Sequence, residues 1–401
     1  MATALFLNLL ALSCCCGTAA AVERVVISNG GYLVANSSPS LASRPDDLFI
    51  PASTLKLFTC LGALQILGPD YRFQTKLYLD QSNNLYIKGF GDPLLTSETV
   101  RQIAKLVSRR GVHHIQHLFL DDTAFNLQPV AWHDETDNPY NAPNSAIAVN
   151  FNSVPFQRQA NGALDSGESE TPLLPIMQQL SRLHPAPGSY RLNVSVIKKQ
   201  NHGLRPHLRY AGELFIAMLN EQAITVSGTI KEKKVPVFLP EFLNFYNKKT
   251  VTDAVQQCLK YSNNFIANQL FLLCGMQKSG LPATWAKGQV ALEIFADQQL
   301  HLSRNQIHFI EGSGLSQTNR ISARALCTIL NNFLPVANLL SFHKGILLKS
   351  GTLENVFNYA GYLPVNNTLV PFAILLNQPR NMRDELLHQF IIALHASPIS
   401  Q

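Results

Sequence analysis
The chain has 401 residues, 46% of them hydrophobic and only 14% charged, where an average soluble domain carries about 25% charged residues. That apolar content, without a long charge block, excludes intrinsic disorder, and 22 Gly and 22 Pro scattered without period exclude collagen-like and coiled-coil chains. The 32 Lys+Arg against 26 Asp+Glu leave a net charge of +6, mildly basic, but no Lys/Arg run is long enough to argue for nucleic acid.

Residues 4–16 form one apolar run, followed by Gly17, Thr18 and Ala19-Ala20-Ala21. This reads as the core and small-residue cleavage site of a secretory signal peptide, so 1–21 is set apart and the remainder is expected to be exported. The run is short for a bilayer span. Leu12-Ser13-Cys14-Cys15 loosely resembles a lipidation site, so a lipid anchor stays open, as does peripheral membrane association. Beyond the leader, Cys60, Cys258, Cys274 and Cys327 lie in apolar helical surroundings and read as single buried thiols.

Val25–Ser28 and Tyr32–Ala35 read as two strands around an Asn29-Gly30-Gly31 turn. Pro51-Ala52-Ser53 opens a helix whose apolar positions, Leu55, Phe58, Leu61, Leu64 and Leu67, follow the helical period until Gly68-Pro69 stops it. From Phe73 the period is two, with a turn at Ser82-Asn83-Asn84. A helix is expected over 96–110, mixed strands and loops over 112–160, a polar loop over 161–172, and a strand over 191–197. Helices are expected over 251–261 and 265–274, strands at 346–348, 357–363 and 369–376, and a last helix over about 384–395. Helix-plus-strand patterns at the two ends, with strand-and-loop patterns between, suggest one α/β (α+β) domain made of 22–68 and 240–401. One or two smaller, mostly-β domains inserted over 69–239 would interrupt it.

Three short motifs recur along the chain, and local structure ranks the copies. Ser-x-x-Lys occurs at Ser53…Lys56, Ser195…Lys198 and Ser341…Lys344. Residues three apart share a helix face but diverge on a strand, and only Ser53 opens a long apolar helix. There the helix N-terminus and apolar surroundings would lower the pKa of Lys56 and make it a usable base for the hydroxyl. Ser-x-Asn occurs at Ser82, Ser262 and Ser303. Ser262-Asn263-Asn264 separates two apolar helices, where Asn264 could equally be an N-cap. Lys-Ser-Gly occurs at Lys278 and Lys349. Lys349-Ser350-Gly351-Thr352 follows an apolar strand run and supplies a cation, hydroxyls and an unobstructed backbone that can pair with a peptide and hold its carboxylate.

In this order and context, the three motifs resemble the set of penicillin-binding proteins and serine β-lactamases. Longer segments narrow the resemblance to the peptidase S13 group of D-alanyl-D-alanine carboxypeptidases, the penicillin-binding protein 4 type. They include 51–59, 67–78, 91–93, 121–125, 140–152, 261–271, 312–322 and 349–363. The resemblance implies a transpeptidase-like domain, an antiparallel sheet flanked by helices, with additional domains between the first two motifs. Ser350, Asn263, Asn268 and Glu311 depart from the more usual Thr, Asp, Glu and Asp.

The resemblance also implies roles. Ser53 attacks the bond between two D-alanines of a peptidoglycan stem peptide, and Lys56 takes its proton. Ser262 relays a proton to the leaving amine, and Asn264 orients Lys56 and the substrate amide. Lys349, Ser350 and Thr352 hold the terminal carboxylate, Gly351 opens the strand edge, and the N–H groups of Ser53 and Thr352 form an oxyanion hole. Trp132 and Tyr140 line the cleft, and Asp134 and Glu135 lie beside them. No metal or cofactor is expected, β-lactams are expected inhibitors, and the location is the bacterial periplasm. Three alternatives stay open: a D,D-endopeptidase with the same residues, a β-lactamase (although no Glu-x-x-Leu-Asn motif is present), and a catalytically silent peptidoglycan-binding scaffold. The residues do not decide the oligomeric state.

Overall fold
A computed structural model describes residues 25–37, 41–132, 136–197 and 203–396. The expected signal peptide, Lys198, Asp134 and Glu135 lie outside the described residues.

A six-stranded, wholly antiparallel sheet forms the frame. Its order is Ser341–His343, Ile346–Leu353, Val356–Val365, Thr368–Leu376, Gly30–Val34 and Ala42–Ser43. The first and last parts of the chain therefore meet in one sheet. One face packs on helices Leu55–Ile66, Val251–Tyr261, Asn264–Ser279, Trp285–Leu300 and Ala323–Phe333. The other face buries Tyr359, Phe372 and Ile374 under Leu386, Leu387 and Phe390 of the Arg383–Ala396 helix. Ten of the twelve residues of Leu55–Ile66 are buried. A helix apolar on every side belongs at the centre of a domain, and Lys56 is carried into that centre with it.

A second core holds most of the inserted part, while Phe73, Leu94, Phe125, Ala146 and Ala148 pack in the first. A mixed sheet runs Ile230–Glu232, Leu118–Asp121, Leu85–Gly89, Arg72–Leu79 and Glu241–Thr250, under helices Ser97–Arg109 and Pro206–Glu221. A smaller three-stranded sheet joins Leu164–Ser166, Ser153–Arg158 and Gly188–Asn193. Glu241–Thr250 hydrogen-bonds to Arg72–Leu79, so the inserted sheet reaches past residue 240 before the chain enters the Val251–Tyr261 helix.

Several local expectations give way to tertiary packing. There is no hairpin at 29–31. Gly30 and Gly31 lie inside a strand paired with Thr368–Leu376, where a Cβ would meet Leu375 O at 2.7 Å and Arg44 O at 2.5 Å. The strand expected over 191–197 ends at Asn193, whose side chain accepts from Ser195 N and starts a 3-10 turn. The inserted part is also less purely β than expected. Pro206–Glu221 is a helix with Pro at its first turn and apolar residues on most sides, a pattern that a period-two reading passes over.

Candidate active site
Ser53 sits in a 3-10 turn, Ala52–Thr54, that runs directly into the Leu55–Ile66 helix. Ala52 takes the left-handed conformation, φ 46°, uncommon and costly for a residue with a Cβ. Two neighbours hold the turn in place. Asn358 Nδ2 donates to Ile50 O and Pro51 O while its Oδ1 accepts from Leu376 N, which pins the turn to the sheet. Gly351 and Gly314 give it room: a Cβ on Gly351 would lie 2.7 Å from Pro51 O and 3.1 Å from Ser53 N, and one on Gly314 would lie 1.8 Å from Ala52 O.

One helical turn on, Lys56 Nζ donates to Ser53 Oγ at 2.8 Å, Asn264 Oδ1 at 2.7 Å and Ser313 O at 2.6 Å. Burial lowers its pKa to about 8, an effect the Glu311 carboxylate partly opposes. The geometry has a chemical consequence. Asn264 Oδ1 and Ser313 O can only accept, so a neutral amine spends both its N–H bonds on them. Its lone pair is then left facing the Ser53 hydroxyl.

Asn264 reaches Lys56 because Asn263, not Asn264, caps its helix: Asn263 Oδ1 accepts from Ile266 N. The Asn264 amide is freed for Lys56 on one side and Tyr140 O, 3.2 Å away, on the other. Ser262 ends the preceding helix in the left-handed conformation, φ 52°, and faces the same cleft.

Lys349 lies on Ile346–Leu353 with Nζ donating to Ser350 O at 2.7 Å. Burial, then the charge of Lys56, lowers its pKa to about 7. The outer strand Ser341–His343 covers only Ile346–Leu348. From Lys349 onward that edge has no strand neighbour among the described residues and can take an added peptide strand.

The cleft has a volume of about 480 Å³ and is lined by Ser53, Ser262, Asn264, Ser350 and Thr352, with Asn138, Tyr140 and Asn141 from the inserted part. The structure thus brings Ser53, Lys56, Ser262, Asn264, Lys349, Ser350, Gly351, Thr352 and Tyr140 together. Trp132 stands apart from this cleft, packed edge-on against Trp285 at 5.6 Å.

Three contributors carried little or no motif signal. Arg383 donates to Thr352 Oγ1 at 2.9 Å, and it sits in a stretch with no pattern of its own. Asn358 lies within a segment of family likeness but in none of the three motifs. Glu311 was visible only as an acid in front of Gly-Ser-Gly. Its buried carboxylate accepts from Ser313 N and Oγ, Gly314 N, Ser316 N and Asn319 Nδ2, and so shapes the loop that presents Ser313 O to Lys56.

All four described cysteines are free and buried. Among the described residues, no three His, Cys, Asp or Glu side chains cluster to hold a metal ion, and no helix is long and apolar enough to cross a membrane.

The model of the D-Ala-D-Ala carboxypeptidase 3 (S13) family matches residues 27–204 and 204–346. A D-alanyl-D-alanine carboxypeptidase of Actinomadura sp. is 25% identical over 82% of this chain and 73% of that protein. The D-alanyl-D-alanine carboxypeptidase DacB of Haemophilus influenzae is 23% identical over 84% of this chain and 82% of its own length. Among solved structures, penicillin-binding protein 4 of Haemophilus influenzae superposes with a TM-score of 0.74 at 18% identity, over 92% of this chain and 97% of that one. A predatory peptidoglycan endopeptidase of Bdellovibrio bacteriovorus gives a TM-score of 0.52 at 17% identity, over 93% and 92%. These structural likenesses show the penicillin-binding fold.

Proposed function
The chain belongs to the D-Ala-D-Ala carboxypeptidase 3 (S13) family, and on that premise we propose how its own residues carry out serine D-Ala-D-Ala carboxypeptidase chemistry. The single observation that carries the reading is the lone-pair geometry at Lys56: two carbonyl acceptors and one hydroxyl around a buried amine.

The substrate is a peptidoglycan stem peptide ending in D-Ala-D-Ala. Its backbone lies along the unpaired edge from Lys349 to Leu353, and its terminal carboxylate meets the Lys349 ammonium, the Ser350 and Thr352 hydroxyls and the nearby Arg383. Neutral Lys56 takes the Ser53 proton as Oγ bonds to the penultimate carbonyl carbon, general-base help worth roughly 10²–10⁴ in rate. The N–H groups of Ser53 and Thr352 receive the negative oxygen, each such donor being worth about 10²–10³. The C–N bond breaks, the Lys56 proton passes through Ser262 to the leaving nitrogen, and free D-alanine departs. Water, deprotonated at the same amine, then attacks the ester and releases the shortened peptide and Ser53.

β-Lactams enter by the same route and acylate Ser53. The relatives fit this: one Haemophilus influenzae structure is complexed with a β-lactam, and a Dictyostelium discoideum relative is a penicillin-sensitive carboxypeptidase. The protein works outside the cytoplasmic membrane, in the periplasm, where its polymer lies. An endopeptidase reading keeps the chemistry and replaces the leaving D-alanine by a cross-linked amine. The open strand edge and the likeness to a peptidoglycan endopeptidase fold favour keeping it as the second reading.

The test is intact mass after incubation with benzylpenicillin, with Ser53→Ala beside it. A gain of one penicilloyl group in the native protein alone supports the acyl-enzyme. An intact drug with no adduct points to a silent scaffold, and rapid drug hydrolysis without an adduct to a β-lactamase.

A further inference from the structure
Away from the cleft, the edge of the five-stranded sheet and the helix beside it enclose a groove of about 500 Å³ that shares no lining residue with the cleft. Two periodicities meet there. On Ser97–Arg109, residues Gln102, Lys105 and Arg109 recur at helical spacing on one face, while Val100, Ile103, Ala104 and Val107 are buried on the other. On Glu241–Thr250, the end strand of the sheet, Asn244 and Lys248 alternate with buried residues. Arg72 joins them from the neighbouring strand, opposite Thr250.

Four cations, Arg72, Lys105, Arg109 and Lys248, line this groove, and no acidic residue does. All four are exposed, and none has an ion pair among the described residues. Their chain neighbours are treated differently. Arg101 is held by both Glu170 and Glu221 at 2.8 Å, and Lys249 lies 3.8 Å from Asp253. Arg110, next to Arg109, lies instead over the Phe242 ring at 5.3 Å, so the four lining cations are the ones that share one concavity. Like charges gathered this way gain nothing from each other and raise the local positive potential, which draws in anions.

We propose that this groove binds a polyanionic chain bearing phosphate groups. The guanidinium forks of Arg72 and Arg109 match paired phosphate oxygens, and the lysines act as point charges between them. Gln102 and Asn244 carry amide donors suited to the remaining oxygens. A groove between a helix and a strand edge admits a chain, whereas a flat bilayer would need a convex or planar basic face.

The test titrates the purified protein with fluorescently labelled long-chain polyphosphate at several salt concentrations. Saturable binding is expected. The Lys105→Gln/Arg109→Gln pair should weaken it at least tenfold and reduce the slope of log affinity against log salt by about two, near one per lost cation. Asn244→Trp, which keeps every charge and fills the groove, should weaken it as much, with melting curves checking that both variants fold. Lys231→Gln/Lys234→Gln removes the same charge elsewhere and should leave affinity within twofold of native. The proposal is overturned if that control pair weakens binding as strongly as the groove pair, or if Asn244→Trp binds like the native protein. It is also overturned if phosphatidylglycerol vesicles bind and polyphosphate neither binds nor competes.

Discussion

Lys56 and Lys349 stand in one electrostatic field. The charge on Lys56 is the second cause, after burial, that brings Lys349 down to about 7, below the value of about 8 for Lys56 itself. The proposed chemistry asks for the opposite order, a neutral base at Lys56 and a charged carboxylate holder at Lys349.

That inversion predicts a narrow bell for kcat/KM. Below about pH 7 both amines are charged and Lys56 cannot take a proton, so the rate should fall tenfold per pH unit. Above about pH 8 both are neutral and the carboxylate loses its Lys349 cation, keeping only the permanently charged Arg383. A bound substrate carboxylate stabilises the Lys349 ammonium, so the alkaline limb of kcat should lie at higher pH than that of kcat/KM. Steady-state rates on a D-Ala-D-Ala peptide across this range measure both curves. A profile flat from about pH 6 to about pH 9 would remove Lys56 as the base.

Gly351→Ala tests the close approach of strand to turn. The new Cβ would press on Pro51 O at 2.7 Å and crowd Ser53 N. We expect about 1–3 kcal/mol of destabilisation and a drop of about 10² or more in the benzylpenicillin acylation rate, as the Ser53 N–H leaves its position. Stopped-flow acylation and a denaturant melt read the two effects separately. Acylation at the native rate would show that the strand has slack there.

Asn263 and Asn264 adjoin in sequence and should behave unlike each other. Asn263→Ala removes a helix cap, costing about 1 kcal/mol, with a small effect on acylation. Asn264→Ala leaves the cap intact and removes an acceptor from Lys56, so melting should hardly change while acylation falls by at least tenfold. Comparable rate losses in the two variants would contradict this division of labour.

Asp92 supplies a pH signature of stability. Burial raises its pKa to about 6 from 3.8, against the hydrogen bonds donated by Asn247 and the Leu94 N–H. A folded-state pKa above the unfolded value means that native protein takes up a proton first as pH falls. This group therefore costs about 3 kcal/mol above pH 6, and the cost is relieved between about pH 6 and pH 4. Asp92→Asn should abolish that pH dependence. Denaturant midpoints at pH 5 and pH 8 decide it: an unchanged difference between them would assign the slope to another group.

The sequence marked the residues of the candidate cleft better than their surroundings. Ser53, Lys56, Ser262 and Lys349 stood out because helix and strand periods ranked their motifs above the duplicates, and a long apolar helix announced the buried setting of Lys56. What it hid depended on contacts distant in the chain. Gly30 and Gly31 have the composition of a turn, yet they lie in a strand paired with Thr368–Leu376, and they are glycines because Leu375 O and Arg44 O leave no room for a Cβ. Trp132 pairs with Trp285, a partner 153 positions on. Arg383 meets Thr352 only because the last helix crosses the sheet face. Asn264 as a plain cap was a fair local reading, displaced by its neighbour Asn263.

Asn138, Tyr140 and Asn141 line the same cleft as Ser53, and the inserted part is fastened beneath them by Asn144 and Gln269, which bond to each other and to the carbonyls of Phe265 and Ser145. The proposed catalytic groups and one wall of the cleft thus come from parts far apart in the chain that share a core, since Ala146 and Ala148 pack in the same cluster as Leu55 and Phe58. Evolution, or an engineer, can remodel that wall at its exposed residues Asn138 and Tyr140 and so change which peptides are admitted, without disturbing the shared core beneath. Substituting Asn138 and Tyr140 should shift peptide preference, seen in KM, while the acylation rate with a small β-lactam stays that of the native protein.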